Sequence, residues 1–95
     1  MDKWKGKVAV VTGASAGIGA AIAVGLAKSG LIVVGLARRS ENVLALKQGL
    51  SGASGELHAF ECDVANYDSV KTAFAWIEKT FGGINILVNN AGVYK

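Results

Sequence analysis

Only one cysteine, Cys62, stands among the 95 residues, which excludes an internal disulfide and agrees with a reducing compartment. Only one histidine is present. His58 has no second histidine, cysteine or paired carboxylate at ligand spacing, so no metal centre is expected. No apolar run approaches the ~18 residues of a membrane span. The opening, residues 1–7, is charged and runs straight into an apolar segment, unlike a signal peptide, so a cytoplasmic setting is expected. The formal charge of +3 is small and scattered, which argues against a nucleic-acid partner. No Gly-Lys-Ser/Thr follows a glycine turn, which removes a phosphate-binding P-loop.

What is abundant is apolar surface: 52% of the residues are hydrophobic, high for an independent domain of this length. Two explanations act together, a core of parallel strands and a surface that further chain would cover. The chain is organised around Val8-Ala9-Val10-Val11-Thr12-Gly13-Ala14-Ser15-Ala16-Gly17-Ile18-Gly19. The apolar run at its head reads as a strand buried on both faces. Residues 20–28 continue with apolar side chains at helical spacing. Strand, glycine turn and helix together aim backbone N–H groups and the positive end of a helix at a phosphate. Gly13 permits the sharp turn off the strand, Gly17 lets the backbone approach a pyrophosphate, and Gly19 lets helix and strand pack closely. The bland alternative is a tight strand-to-helix connection. The strand before and the helix after favour a nucleotide.

Lys28-Ser29-Gly30 closes the first helix with a cation and a C′ glycine. Residues 31–37 form a second apolar strand ending in Arg38-Arg39. Ser40 reads as the cap of a helix through Val43, Leu44, Leu46, Lys47 and Leu50, with Glu41 in its first turn. Residues 51–55 are a small-residue loop. Residues 56–62 partly alternate, as a strand near a sheet edge does. Asn66 or Asp68 caps a third helix to about Phe81, with Val70, Ala73, Phe74 and Ile77 on one stripe, and Gly82-Gly83 ends it. Residues 84–88 are a fourth strand. His58, Cys62, Phe74 and Trp76 read as packing residues, and Trp4 as a cover for the bottom of the sheet. Strands alternating with helices make an α/β, doubly wound parallel sheet of order 3-2-1-4. Its ligand site lies outside the carboxyl ends of the strands, at the switch point between strands 1 and 4.

Three motifs stand in register: Thr12-Gly13-Ala14-Ser15-Ala16-Gly17-Ile18-Gly19, then Asp63-Val64, then Asn89-Asn90-Ala91-Gly92. Together they resemble the short-chain dehydrogenase/reductase family along the whole chain. The wording Val33-Val34-Gly35-Leu36-Ala37-Arg38-Arg39 and the Trp4 opening resemble, within it, NADP-dependent alcohol dehydrogenases of the farnesol dehydrogenase type. The resemblance implies a Rossmann-type three-layer fold of which residues 1–95 are the N-terminal portion. It implies that Gly13, Gly17, Ile18 and Gly19 cradle the cofactor pyrophosphate, with Ser15 and Ala16 near the adenosine ribose. Thr12 would hold the Asn90-Ala91 backbone. Asp63 would accept from the adenine amino group with Val64 against the ring, and Asn90, Ala91 and Gly92 would line the nicotinamide-side ribose. For Asp63 the competing reading is a helix-cap or turn aspartate; for Asn89 it is a turn residue.

Arg38 and Arg39 select between cofactors. An NAD site needs a carboxylate at the tip of the second strand for the ribose 2′-OH. Here two arginines stand there instead, and a guanidinium fork suits a 2′-phosphate, so NADP is expected over NAD. An ordinary solvated pair is the alternative, and Glu41 is near enough to pair with one of them. The resemblance also implies a catalytic Ser and a Tyr-x-x-x-Lys pair beyond the Asn-Asn-Ala-Gly segment. Tyr94-Lys95 is adjacent rather than spaced and cannot replace it. The expectation is that the whole enzyme, a homodimer or homotetramer, interconverts a small alcohol and a carbonyl. Residues 1–95 bind cofactor without a catalytic residue of their own. The alternative is a non-catalytic module that binds NADP or a partner.

Overall fold

The computed structural model describes residues 6–13, 17–38, 40–46, 55–63 and 65–88. Strand β1 (Val8–Thr12) is buried at all five positions, as its unbroken apolar run demands. It pairs in parallel with β2 (Ile32–Ala37), running from Val8 opposite Ile32 to Thr12 opposite Leu36. Strand β3 (Glu56–Glu61) pairs with β2, Ala37 standing opposite Glu61. Strand β4 (Ile86–Val88) pairs with β1 through Ala9–Ile86, Val10–Leu87 and Val11–Val88. The order is β3-β2-β1-β4, all parallel, as the alternation of strands and helices predicts.

Period-two alternation splits the strand side chains between two cores. On one face Ala9, Val11, Val33, Ala37 and Leu57 pack with Ala23 and Ala27 of α1 (Gly17–Lys28) and Val43 of α2 (Ser40–Ala45). On the other, Val8, Val10, Val34, Leu36 and Cys62 pack with Ala73 and Ile77 of α3 (Tyr67–Phe81). Helices on both faces make three layers. Each fully buried valine of β1 and β2 contributes about 1.5–3 kcal/mol of burial. The α3 face also holds an aromatic row: Phe60 lies 4.7 Å from Trp76, which meets Phe81 edge-on at 5.7 Å. Cys62 is buried there, 2% exposed, as a small apolar side chain.

The termini of the elements follow local chemistry. At the end of α1, Gly30 takes φ +101° and donates to Ala27 C=O while Leu31 N–H donates to Leu26 C=O, the paired bonds of a Schellman stop. Asn66 caps α3 through Oδ1, which accepts from Ser69 N–H at 3.1 Å; of the two candidate caps, it is the asparagine. Gly82, left-handed at φ +86°, ends the helix.

Several boundaries differ from the pattern reading. Helix α1 starts at Gly17, not after Gly19, so two glycines of the motif belong to its first turn. Ser40 is the first residue of α2 rather than its cap, and Lys47 and Leu50 lie outside the described residues. Strand β2 starts one residue later, at Ile32, and β3 stops at Glu61, although Cys62 N–H still donates to Ala37 C=O at 2.8 Å. Strand β4 starts at Ile86 instead of Ile84 because Asn85 breaks the ladder with its side chain. Its Oδ1 accepts from Val8 N–H and its own N–H donates to Val8 C=O, each at 2.9 Å. Gly55 is more than a loop spacer: a Cβ there would overlap the carbonyl oxygens of Ala27 and Leu31, so β3 enters the sheet pressed against the end of α1.

Candidate functional site

The carboxyl ends of the strands gather most of the described candidate residues on one edge of the sheet. Strand β1 stops at Thr12, and Gly13 turns away at φ +65° while its N–H donates to Leu36 C=O at 2.9 Å. That bond carries the β1–β2 pairing one residue past the strand before the chain leaves the sheet. Gly17 then opens α1 at φ +62°, and a Cβ built on it meets nothing within 4 Å. The glycine is therefore demanded by its backbone angle, and the space beside it is free of the described protein atoms. Gly19 is buried, whereas Ile18 is 72% exposed beside it.

The electrostatics of the helix starts are unequal. Helix α1 has no acidic residue in its first turn, while α2 carries Glu41 and α3 carries Asp68. Of the three, α1 alone leaves its positive dipole end without a carboxylate. Arg38 follows β2 directly and is exposed. No carboxylate stands at the end of that strand. A dinucleotide's phosphates fit this arrangement: an open glycine turn, a helix start without competing anions, and a cation at the neighbouring strand tip.

Thr12 is 6% exposed, and its hydroxyl donates to Val88 C=O of β4 at 3.4 Å. It thus ties the ends of β1 and β4 together at the switch point.

Asp63 is a turn residue, not a cap. Its Oδ1 accepts from Ala65 N–H at 3.0 Å and its C=O accepts from Asn66 N–H at 2.9 Å. Its own N–H donates to Ser69 Oγ at 2.9 Å. Its second carboxylate oxygen has no partner among the described residues. Neither Ser69 nor Asn85 is marked by the sequence motifs. Asn66-x-x-Ser69 resembles a capping box, which is the signal that could have drawn attention to Ser69. His58, expected as a packing residue, bonds Glu56 through Nε2 at 2.7 Å and lies 5.2 Å from the Phe81 ring.

Ser15, Ala16, Arg39, Val64, Asn90, Ala91 and Gly92 lie outside the described residues, as do Trp4, Asn89, Tyr94 and Lys95. Among the described residues no helix is long and apolar enough to cross a membrane.

Residues 7–95 match the family model described as short chain dehydrogenase. The chain is 58% identical to farnesol dehydrogenase of Aedes aegypti, over all of this chain and 39% of that protein. It is 41% identical to dehydrogenase/reductase SDR family member 11 of Homo sapiens, over 98% of this chain and 36% of that one. The chain thus spans well under half the length of these relatives. Among solved structures, it superposes on a metagenomic short-chain oxidoreductase in complex with NADP with a TM-score of 0.87 and 43% identity, covering 94% of this chain and 40% of that one. L-sorbose reductase from Gluconobacter frateurii, complexed with NADPH and L-sorbose, gives 0.86 and 38%, covering 97% of this chain and 35% of that one. With three motifs in register, a β3-β2-β1-β4 sheet and a family match across nearly its whole length, this chain belongs to the short-chain dehydrogenases.

Proposed function

We propose that the chain is the NADP-binding portion of an oxidoreductase that interconverts an alcohol and a carbonyl. The observation that carries this reading is the turn from β1 into α1. Gly13 and Gly17 bend the backbone through left-handed angles, and the following helix start faces open space without an acidic residue. In this reading the amides of residues 13–19, Ser15 and Ala16 included, hold the pyrophosphate, and Arg38 with Arg39 takes the ribose 2′-phosphate. Asp63 accepts from the adenine amino group through its spare oxygen, and Val64 lies against the ring. Asn90, Ala91 and Gly92 line the nicotinamide-side ribose. When bound, the nicotinamide would give hydride to a carbonyl in its reduced form or accept hydride from an alcohol in its oxidised form. The Tyr-x-x-x-Lys spacing within residues 1–95, Tyr67 to Lys71 at the start of α3, is exposed and precedes the fourth strand instead of following the Asn-Asn-Ala-Gly segment, so the proposal gives these residues binding and orientation and no proton transfer. The NADP- and NADPH-bound state of the structural neighbours supports the choice of cofactor. A cytoplasmic homodimer or homotetramer acting on a small substrate completes the reading for the whole enzyme.

Replacing Arg38 with Asp tests the cofactor choice. The substitution removes a cation and adds an anion at the strand tip, and weakens NADPH binding by ~2–4 kcal/mol, the scale of uncompensating one partner of a charged pair. NADH binding changes little, because its ribose carries no phosphate. Calorimetry that finds equal losses for both cofactors overturns the assignment.

A second reading is favoured by β4. Among the described residues this strand pairs only with β1, and Leu87 on it is 53% exposed. In a partner-binding module this edge would seat another strand. Co-purification of a stoichiometric partner with retained NADPH affinity and no turnover would support it. Turnover by the complete protein on an alcohol or carbonyl would exclude it.

A further inference from the structure

Strand β3 makes its last sheet bond at Cys62, whose N–H donates to Ala37 C=O, so the next amide, that of Asp63, has left the ladder. It donates instead to Ser69 Oγ at 2.9 Å, six residues ahead and inside the first turn of α3. In an ordinary capping box the side chain three residues past the cap returns to the cap's own N–H. Here the cap is Asn66, whose Oδ1 accepts from Ser69 N–H, but the Ser69 hydroxyl reaches past Asn66 to Asp63. Asn66 N–H in turn donates to Asp63 C=O, and Ala65 N–H donates to Asp63 Oδ1. Four bonds therefore lock this turn, and the spare carboxylate oxygen has its direction set by the other three groups of Asp63. We propose that Ser69 is a positioning residue for adenine recognition: through the Asp63 amide it fixes the carboxylate that distinguishes an adenine from a base lacking the exocyclic amino group. This rests on the reading of Asp63 as the adenine acceptor.

The test compares NADPH with its hypoxanthine analogue, in which a carbonyl oxygen replaces the amino group, by fluorescence titration of the full chain. A carboxylate well placed for the amino group gives a preference for NADPH of about tenfold in the unsubstituted protein. Ser69→Ala reduces that ratio to near the value for Asp63→Ala, while Ser69→Thr, which keeps an acceptor oxygen, retains it. The ratio of two dissociation constants from one preparation does not depend on the fraction folded, so a general loss of stability leaves it unmoved. If Ser69→Ala keeps the full ratio while Asp63→Ala loses it, the role given to Ser69 is wrong and that of Asp63 stands. If the unsubstituted protein does not discriminate, or Asp63→Ala does not alter the ratio, the adenine reading itself falls and this inference with it.

Discussion

Two glycines in the same helix separate a conformational requirement from a tolerated gap. Gly17 holds φ +62° with open space around its missing Cβ, so an alanine there is penalised by its backbone alone. Gly17→Ala lowers stability by about 1–2 kcal/mol, and it also weakens NADPH because the amide is pulled off line. Gly25, two turns on, also faces open space and has no left-handed angle. Gly25→Ala raises stability by about 0.5–1 kcal/mol and leaves NADPH affinity unchanged. Urea denaturation and cofactor titration of both variants check the pair. A Gly17→Ala protein as stable and as tight-binding as its parent removes the special role assigned to that position.

At the scale of elements, Asn85 sets where β4 meets β1. It bonds Val8 with both its side chain and its main chain, at the amino end of the pairing. Asn85→Ala leaves Val8 N–H without its acceptor and costs about 1 kcal/mol, whereas Asn85→Asp, which keeps the oxygen, costs less. Equal unfolding midpoints for the two variants would count against this. The elements also mark how far the sequence is legible. The apolar runs at 8–11 and 32–37 announce buried parallel strands because both faces of such strands are covered, and the burial of β1 and β2 follows. Gly30 and Gly82 announce helix ends because only a left-handed residue closes them cheaply. The start of α1 is not legible: glycines read as a turn, yet Gly17 and buried Gly19 lie within the helix despite their poor helix propensity. Nor is the start of β4, where an asparagine side chain imitates a backbone acceptor. Of the candidate site, Gly13 and Gly17 are legible from the strand–turn–helix pattern and Asp63 from the family resemblance, while Ser69 bonds Asp63 through a contact that no periodicity encodes.

Across the whole molecule, one edge of the sheet collects the ends of all four strands. The two faces divide the labour of packing: α1 and α2 cover one side of β1–β3 and α3 the other. Strand β4 is the least covered of the four, with Leu87 53% exposed on the side where Val10 of β1 is buried. In the proposal that the whole enzyme continues beyond these residues, this is the surface that further chain would cover. In the proposed reading the cofactor faces the edge where Gly13 and Gly17 turn, away from the opposite ends of the strands where the ladder begins. The most direct test is backbone-amide hydrogen exchange, followed by mass spectrometry with and without saturating NADPH. Slowed exchange in the segments 12–19 and 36–40, with a smaller effect around 63 and none at the amino ends of the strands, is the expected result. Protection confined to the β4 edge, or no protection between 12 and 19, would contradict the claim that the turn after β1 seats a diphosphate.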